Sequence, residues 1–274
     1  MLNSLKFKSA LTEFLPPFIL KLIRRWRVSN KYSFTYVGVF NSFQEVLDAH
    51  GPQPLYATQI SRFESVKNVS NIIELNSAIE PSWSSARFNF ISSFVAGLEI
   101  KKVGILDIGG GFGETYLHLS RSCNKEFDYR ILELEPTVDL MKNTFKNFLE
   151  ITFYTSLESI NFEPKIVYFG SSLQYFSDYK SILLDAISYA PKFIIISDTP
   201  IGKIDSFVCA QVNMPEIVIP CWVFSRDEIL STLKAGGYNL VYYSSNYYPM
   251  HNFDNYGAEY QQIFYTNLIF KKSI

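Results

Sequence analysis

The chain has 274 residues, a formal net charge of −1 and 47% hydrophobic residues. That length holds one large domain, or one domain with an added subdomain, and the near-neutral balance argues against nucleic acid as a partner. The three cysteines (Cys123, Cys209, Cys221) and three histidines (His50, His118, His251) are too few and too scattered for a disulfide framework or a zinc site, so no metal is expected.

The opening stretch, "MLNSLKFKSALTEFLPPF", lacks a continuous apolar core with a small-residue cleavage site, so no secretory leader is expected. No apolar run approaches the ~20 residues that span a bilayer. Within residues 1–30, the segment Phe14–Val28 sets Phe14, Leu15, Phe18, Ile19, Leu22, Ile23 and Trp26 beside Lys21, Arg24, Arg25 and Arg27. This predicts a basic amphipathic helix with Pro17 near its first turn. Two readings stay open: a helix docked on a membrane surface or a partner, and a helix packed on the domain with its arginines solvated. The protein is expected in the cytoplasm, at the inner face of the membrane under the first reading.

Residues 31–100 read as a helical cap and a lead-in helix. An irregular stretch surrounds a helix near Asn41–Ala49, which Asn41 or Ser42 can cap. Residues 81–100 are helical, with Phe88, Ile91, Phe94 and Val95 on one face and Gly97 near the stop. From Val103 the rhythm changes, and residues 101–274 form the main domain. Short apolar strands at "VGILD", "DYRILELE", "ITFYTSL", "KIVYFG" and "PKFIIISD" alternate with helices at "ETYLHLSRSC", "TVDLMKNTFKNF" and "YKSILLDAISYA". This alternation predicts an α/β fold with a parallel, doubly wound sheet. Residues 199–225 are poor in helix signals, and residues 200–224 together with residues 32–80 are expected to cover the cleft. A helix follows at "RDEILSTLKAGG", stopped by Gly236–Gly237. The last two strands have no helix between them and should pair antiparallel.

The stretch "VGILDIGGGFGETY" (103–116) carries the chemistry. Ligands on such sheets sit at the carboxyl ends of the strands, where strand order reverses. Asp107 and the run Gly109, Gly110, Gly111 and Gly113 lie at the end of the first main strand. Missing Cβ atoms let backbone approach a ligand or take positive φ. The spacing is G-x-G-x-G rather than the dinucleotide G-x-G-x-x-G. Glu133 ends the next strand, twenty residues past Gly113, where an acid takes ribose hydroxyls. A nicotinamide or other nucleotide site stays open on these residues alone. Asp107 reads first as an acid that holds the glycine turn, and Glu135 as a solvent-exposed acid.

"ILDIGGGFG" followed by "LELEPTVDLM" resembles the first two motifs of the class I S-adenosylmethionine-dependent methyltransferases. The resemblance implies a Rossmann-like, seven-stranded, mostly parallel sheet of order 3-2-1-4-5-7-6. It implies S-adenosylmethionine as methyl donor, with Asp107, Gly109, Gly110, Gly111 and Gly113 at its amino-acid end and Glu133 with Leu134 at its ribose. Many relatives place an acid after the third strand for adenine. Here that region reads "YTSLES", so Ser156 and Leu157 take the role, and the nearest acid is Glu158. "SSLQY" follows the fourth strand, beside the methyl group in this fold. Ser171 and Ser172 are expected at the cofactor, and Gln174 and Tyr175 at cofactor or acceptor. Asp198 and Thr199 end the fifth strand. Asp198 is the best-placed carboxylate for a general base, and a turn acid before Thr199-Pro200 is its plainer reading. His251, in the loop "YYPMHNFDNYG", is a second candidate base or a solvated histidine, and His118 reads as structural. Tyr36, Phe40, Tyr56, Trp83 and Trp222 are candidates to stack on a sugar, or else to pack the cap.

More narrowly, "YVGVFNSFQEVL", "SSLQYFSDYKSIL", "IIISDTPIG" and "IPCWVFSRDEIL" resemble bacterial proteins assigned as methyltransferases and encoded with surface-polysaccharide genes, over roughly residues 32–270. That implies a small-molecule or glycan acceptor, with O-methylation of a sugar or glycosyl phosphate in capsule, O-antigen or lipooligosaccharide synthesis. N-methylation of an amino sugar is the nearest alternative. A nicotinamide-binding protein without methyl transfer is the alternative of a different class.

Overall fold

A computed structural model describes residues 35–51, 66–67, 69–70, 72–73, 88–214, 217–246, 253 and 256–273. In chain order the elements are β1 (Thr35–Phe40), α1 (Phe43–His50), α2 (Asn89–Ala96), β2 (Lys102–Ile108), α3 (Glu114–Ser122), β3 (Glu126–Leu132), α4 (Glu135–Thr144), β4 (Ile151–Tyr154), β5 (Ile166–Gly170), α5 (Tyr179–Ser188), β6 (Phe193–Gly202), β7 (Phe207–Met214), β8 (Ile217–Ser225), α6 (Arg226–Ala235), β9 (Tyr238–Asn246) and β10 (Phe264–Lys272). Short 3-10 turns cover Leu157–Ser159, Leu173–Tyr175 and Ala258–Gln262. The segment Phe14–Val28 and residues Tyr56, Trp83 and His251 lie outside the described residues. Among the described residues, no helix is long and apolar enough to cross a membrane.

The main sheet runs β4-β3-β2-β5-β6-β10-β9. Its first five strands are parallel, and β10 lies antiparallel between β6 and β9. The central strands are apolar on both faces because helices cover both. Alternation divides them between two cores. Ile105, Ile166 and Tyr168 face Ile91 and Val95 of α2, Leu117 of α3, and Val138 and Met141 of α4. Leu106, Ile108, Val167 and Phe169 face Leu183 of α5 and Ile229 and Leu233 of α6. Side chains cap the helices where the sequence offers them. Ser42 accepts from Glu45 N–H, Asp178 from Ser181 N–H and Ser225 from Glu228 N–H. Gly97 and Gly236 close α2 and α6.

Residues 199–225, poor in helix signals, are strands: β6 continues through Thr199-Pro200 to Gly202, and β7 and β8 form an antiparallel hairpin with Cys209 opposite Cys221. One expectation is corrected: the stretch before α1 is not irregular, since β1 pairs antiparallel with β7, while β8 meets β6 at Ile201 and Gly202. This three-stranded extension is apolar on both faces. Cys209, Cys221 and Val223 pack with Tyr36, and Val208 and Ala210 pack with Val46 of α1. With no polar face, the strands carry no period-two signal.

Tyr36 is buried, stacks on Phe253 and shares a short hydrogen bond with the Tyr265 hydroxyl. Trp222 packs edge-on to Tyr179 at 5.0 Å and donates its indole N–H to Ser177 O. Tyr36 is therefore part of the packing rather than an open platform for a sugar, whereas the half-buried Trp222 also lines a cavity with Tyr179, Lys180 and Glu228.

Candidate functional site

The candidate site is built along one edge of the sheet, where β4, β3, β2, β5 and β6 end in sequence. At the end of β2 the chain turns through positive φ at Gly109 (73°), Gly111 (58°) and Gly113 (79°). Gly109 serves the protein's own packing. Its N–H donates to Leu132 O at 2.9 Å, and a Cβ there would stand 2.6 Å from Ser172 Cβ. Ser172 Oγ donates to Ile108 O at 2.5 Å and pins the ends of β2 and β5 together. Gly111 has no such neighbour. A Cβ there would meet nothing within 4 Å, so its backbone faces open space.

Asp107 lies beneath this turn and is 1% exposed. Its Oδ2 accepts from the Tyr129 hydroxyl at 2.6 Å, and a Cβ on Gly110 would stand 2.6 Å from its carboxyl carbon. Burial, and then the Asp107 charge, push the Tyr129 hydroxyl well above its ordinary pKa, so it remains a donor at neutral pH. The carboxylate is thus packed directly against Gly110 of the turn.

The next two strand ends complete the left half of the edge. Glu133 N–H donates to Tyr154 O at 2.9 Å, tying β3 to β4. The half-buried Glu133 carboxylate folds back to accept from Leu134 N–H at 2.6 Å. Beside it Leu134 is 49% exposed, an apolar side chain presented to solvent at a helix start. Ser156 and Leu157, both half-buried, begin the 3-10 turn just past β4, while Glu158 and Glu135 point into solvent.

At the right half, Ser171 follows β5 with φ 56° and donates its N–H to Ser197 O at 2.9 Å. Gln174 is 1% exposed and folds its amide back onto Ser171, donating to O at 3.0 Å and Oγ at 3.2 Å. Its Oε1 is buried with no hydrogen-bond partner among the described residues. Tyr175 turns away and donates to Gln211 of β7 at 2.9 Å. Thr199 is fully buried, with its hydroxyl on Ser197 O. The Tyr175 and Thr199 hydroxyls are thus committed to neighbours, whereas Gln174 has only its amide N–H2 so engaged and its Oε1 is left over. Asp198 differs. It is half-buried, has φ 51°, and its N–H donates to Asn267 Oδ1 at 3.0 Å. His118 stacks on Phe88 at 4.2 Å, on α3.

Three residues at this edge escape a reading of the sequence: Tyr129 beneath the turn, Asn267 behind Asp198, and Gln211 behind Tyr175. Tyr129 left no usable signal, because β3 (EFDYRIL) carries Glu126, Asp128 and Arg130 around it and its partner Asp107 lies on the neighbouring strand.

No protein-family model matches the chain, and no curated protein matches it. Solved structures do. A protein from Galdieria sulphuraria assigned as a sarcosine dimethylglycine methyltransferase is 13% identical with a TM-score of 0.52, covering 69% of this chain and 86% of that one. A Listeria monocytogenes protein assigned as an S-adenosylmethionine-dependent methyltransferase is 12% identical with a TM-score of 0.51, covering 69% of this chain and all of that one (100%). The cyclase SpnF is 12% identical with a TM-score of 0.52, covering 88% of this chain and 99% of that one. At such identities the likeness speaks to architecture: the chain has the Rossmann-like fold of the S-adenosylmethionine-dependent methyltransferases.

Proposed function

We propose that the chain is an S-adenosylmethionine-dependent methyltransferase. One observation carries the reading: an open glycine turn and a neighbouring strand-end carboxylate in a sheet whose β10 is antiparallel between β6 and β9. A dinucleotide-binding sheet runs parallel in the order 3-2-1-4-5-6. A second feature points the same way. Glu114 stands in the first turn of α3, where a pyrophosphate would lie in a dinucleotide site, and its charge works against an anion there.

The residues present fit the donor. Glu133 offers carboxylate oxygens to two ribose hydroxyls, and Leu134 with Ser156 and Leu157 offers an apolar slot with polar backbone for adenine. The turn at Gly109–Gly113 receives the amino-acid end, which directs the transferable methyl group toward Ser171 and Asp198. When bound, the sulfonium supplies an already activated methyl group, so the protein's task is alignment, water exclusion and proton removal.

The acceptor proposed is a hydroxyl of a sugar or glycosyl phosphate in bacterial surface-polysaccharide synthesis. It is supported by the resemblance of "SSLQYFSDYKSIL", "IIISDTPIG" and "IPCWVFSRDEIL". An amino sugar methylated on nitrogen uses the same edge. The fold alone does not dictate the reaction, and a cyclase is among the structures that share it.

The reading is tested at Glu133. Glu133→Ala should weaken binding of S-adenosylhomocysteine by about 1–3 kcal/mol, the loss from leaving ligand hydroxyls unpaired. Unchanged affinity removes Glu133 from the site.

A further inference from the structure

Among the described residues, three non-glycine residues take a left-handed backbone: Ser171, Ala190 and Asp198. Two of them meet at the ligand edge, joined through the bond from Ser171 N–H to Ser197 O. Such strain persists only where the surroundings over-determine it, and it concentrates at functional sites.

Here the surroundings can be named. Thr199 pairs with Thr266, and Ile196 with Leu268. Ser197 and Asp198 together therefore oppose Asn267 alone, which is a β-bulge, a device that re-aims a side chain. The usual occupant of a left-handed bulge position is glycine, and Asp is one of the few residues that tolerate it. Asn267, itself buried, clamps the bulge. Its Oδ1 accepts from Asp198 N–H, and its Nδ2 donates to Ser244 Oγ of β9 at 3.2 Å. Ser197 Oγ shares a hydrogen bond with the Tyr168 hydroxyl at 2.8 Å. On either side of Asp198, Ser197 and Thr199 are buried, while Asp198 itself is half-buried. The bulge lifts one carboxylate out of a buried row, just past the end of β5.

We propose that Asp198 is the proton acceptor for the nucleophile, with Asn267 as its positioning residue, and that the acceptor molecule presents a neutral O–H or N–H there. The proposal rests on the methyltransferase reading. In the step, a lone pair on the acceptor's oxygen or nitrogen attacks the methyl carbon of the sulfonium donor. The carbon–sulfur bond breaks with its electron pair on sulfur, leaving a neutral thioether. The proton of the O–H or N–H passes to the Asp198 carboxylate.

The test needs no acceptor. Sinefungin carries an ammonium group where the donor carries its sulfonium methyl, and a carboxylate at that point favours it over S-adenosylhomocysteine. The native chain should bind sinefungin about tenfold more tightly, the effect of a charge-assisted hydrogen bond. Asp198→Asn should erase that preference and leave S-adenosylhomocysteine affinity unchanged. Asp198→Gly should also erase it, and should hold the melting temperature or raise it by up to about 4 °C, since glycine relieves the left-handed strain. A preference that survives in Asp198→Asn overturns the proposal, as does equal binding of both ligands by the native chain; either result leaves the methyltransferase reading standing. A fall in melting temperature for Asp198→Gly removes the strain on which the proposal is built. If neither ligand binds the native chain, the methyltransferase reading fails and takes the proposal with it.

Discussion

Gly111→Ala separates a ligand site from a mere turn. The substitution places a methyl group in space where no protein atom comes within 4 Å, on a backbone with φ 58°. A left-handed alanine costs about 1–2 kcal/mol, and the stiffer unfolded chain returns roughly 0.4–1 of it. The net loss of about 1 kcal/mol lowers the melting temperature by roughly 2–4 °C for a domain of this size. Gly237→Ala is the matched control. Gly237 has φ 85° and equally empty surroundings, but it sits at the opposite edge of the sheet, beside the end of β10. The two variants should melt alike and differ in binding. In calorimetric titration with S-adenosylhomocysteine, Gly111→Ala should lose about tenfold or more, an overpacking penalty of roughly 1–3 kcal/mol, while Gly237→Ala keeps native affinity. Native affinity in Gly111→Ala, or an equal loss in both, would refute the assignment of that open space to the ligand.

Three further outcomes are expected. Ser172→Ala removes the buried donor to Ile108 O, so urea unfolding should show a loss of about 1–3 kcal/mol. Leu134→Ala should weaken S-adenosylhomocysteine by a few fold with almost no change in melting temperature, because half of that side chain already faces water. Glu228→Gln should show a pH-dependent defect. Burial pushes the Glu228 carboxyl up, but hydrogen bonds from Lys180 (2.6 Å), Ser206 (2.5 Å) and Tyr179 outweigh it and set it below its ordinary range. A carboxyl lowered by folding stabilises above its unfolded pKa and loses that as pH falls through the folded one. Lys180 is well exposed, so the contribution at pH 7 is about 1 kcal/mol or less. The gap in urea stability between native and Glu228→Gln should therefore close as the pH falls below the ordinary carboxylate value of 4.5.

The β-α alternation was legible because each central strand is a short apolar run between helices with recognisable starts and stops, such as Ser42 before α1 and Gly97 after α2. The glycine turn was legible because positive φ at Gly109 and Gly111 demands the residue that reveals it. The left-handed turns at Ser171 and Asp198 left no such trace, since neither residue is glycine and the strain is held by partners far along the chain. Asn267 lies 69 residues from the amide it clamps, and no local pattern connects them. The β1-β7-β8 extension was hidden for another reason: even where it is exposed, at Val37 and Val39 of β1, its residues are apolar, so it lacks polar alternation. Tyr175 and Gln174 were placed at the right strand end. Which way each side chain turns depends on Gln211 and Ser171, and so on tertiary packing.

The most direct test of the central claim is calorimetric titration of the native chain with S-adenosylmethionine, S-adenosylhomocysteine and NADH. The expected result is one site for each sulfur nucleotide and none for NADH. Binding of NADH with no heat from either sulfur nucleotide would contradict the methyltransferase assignment.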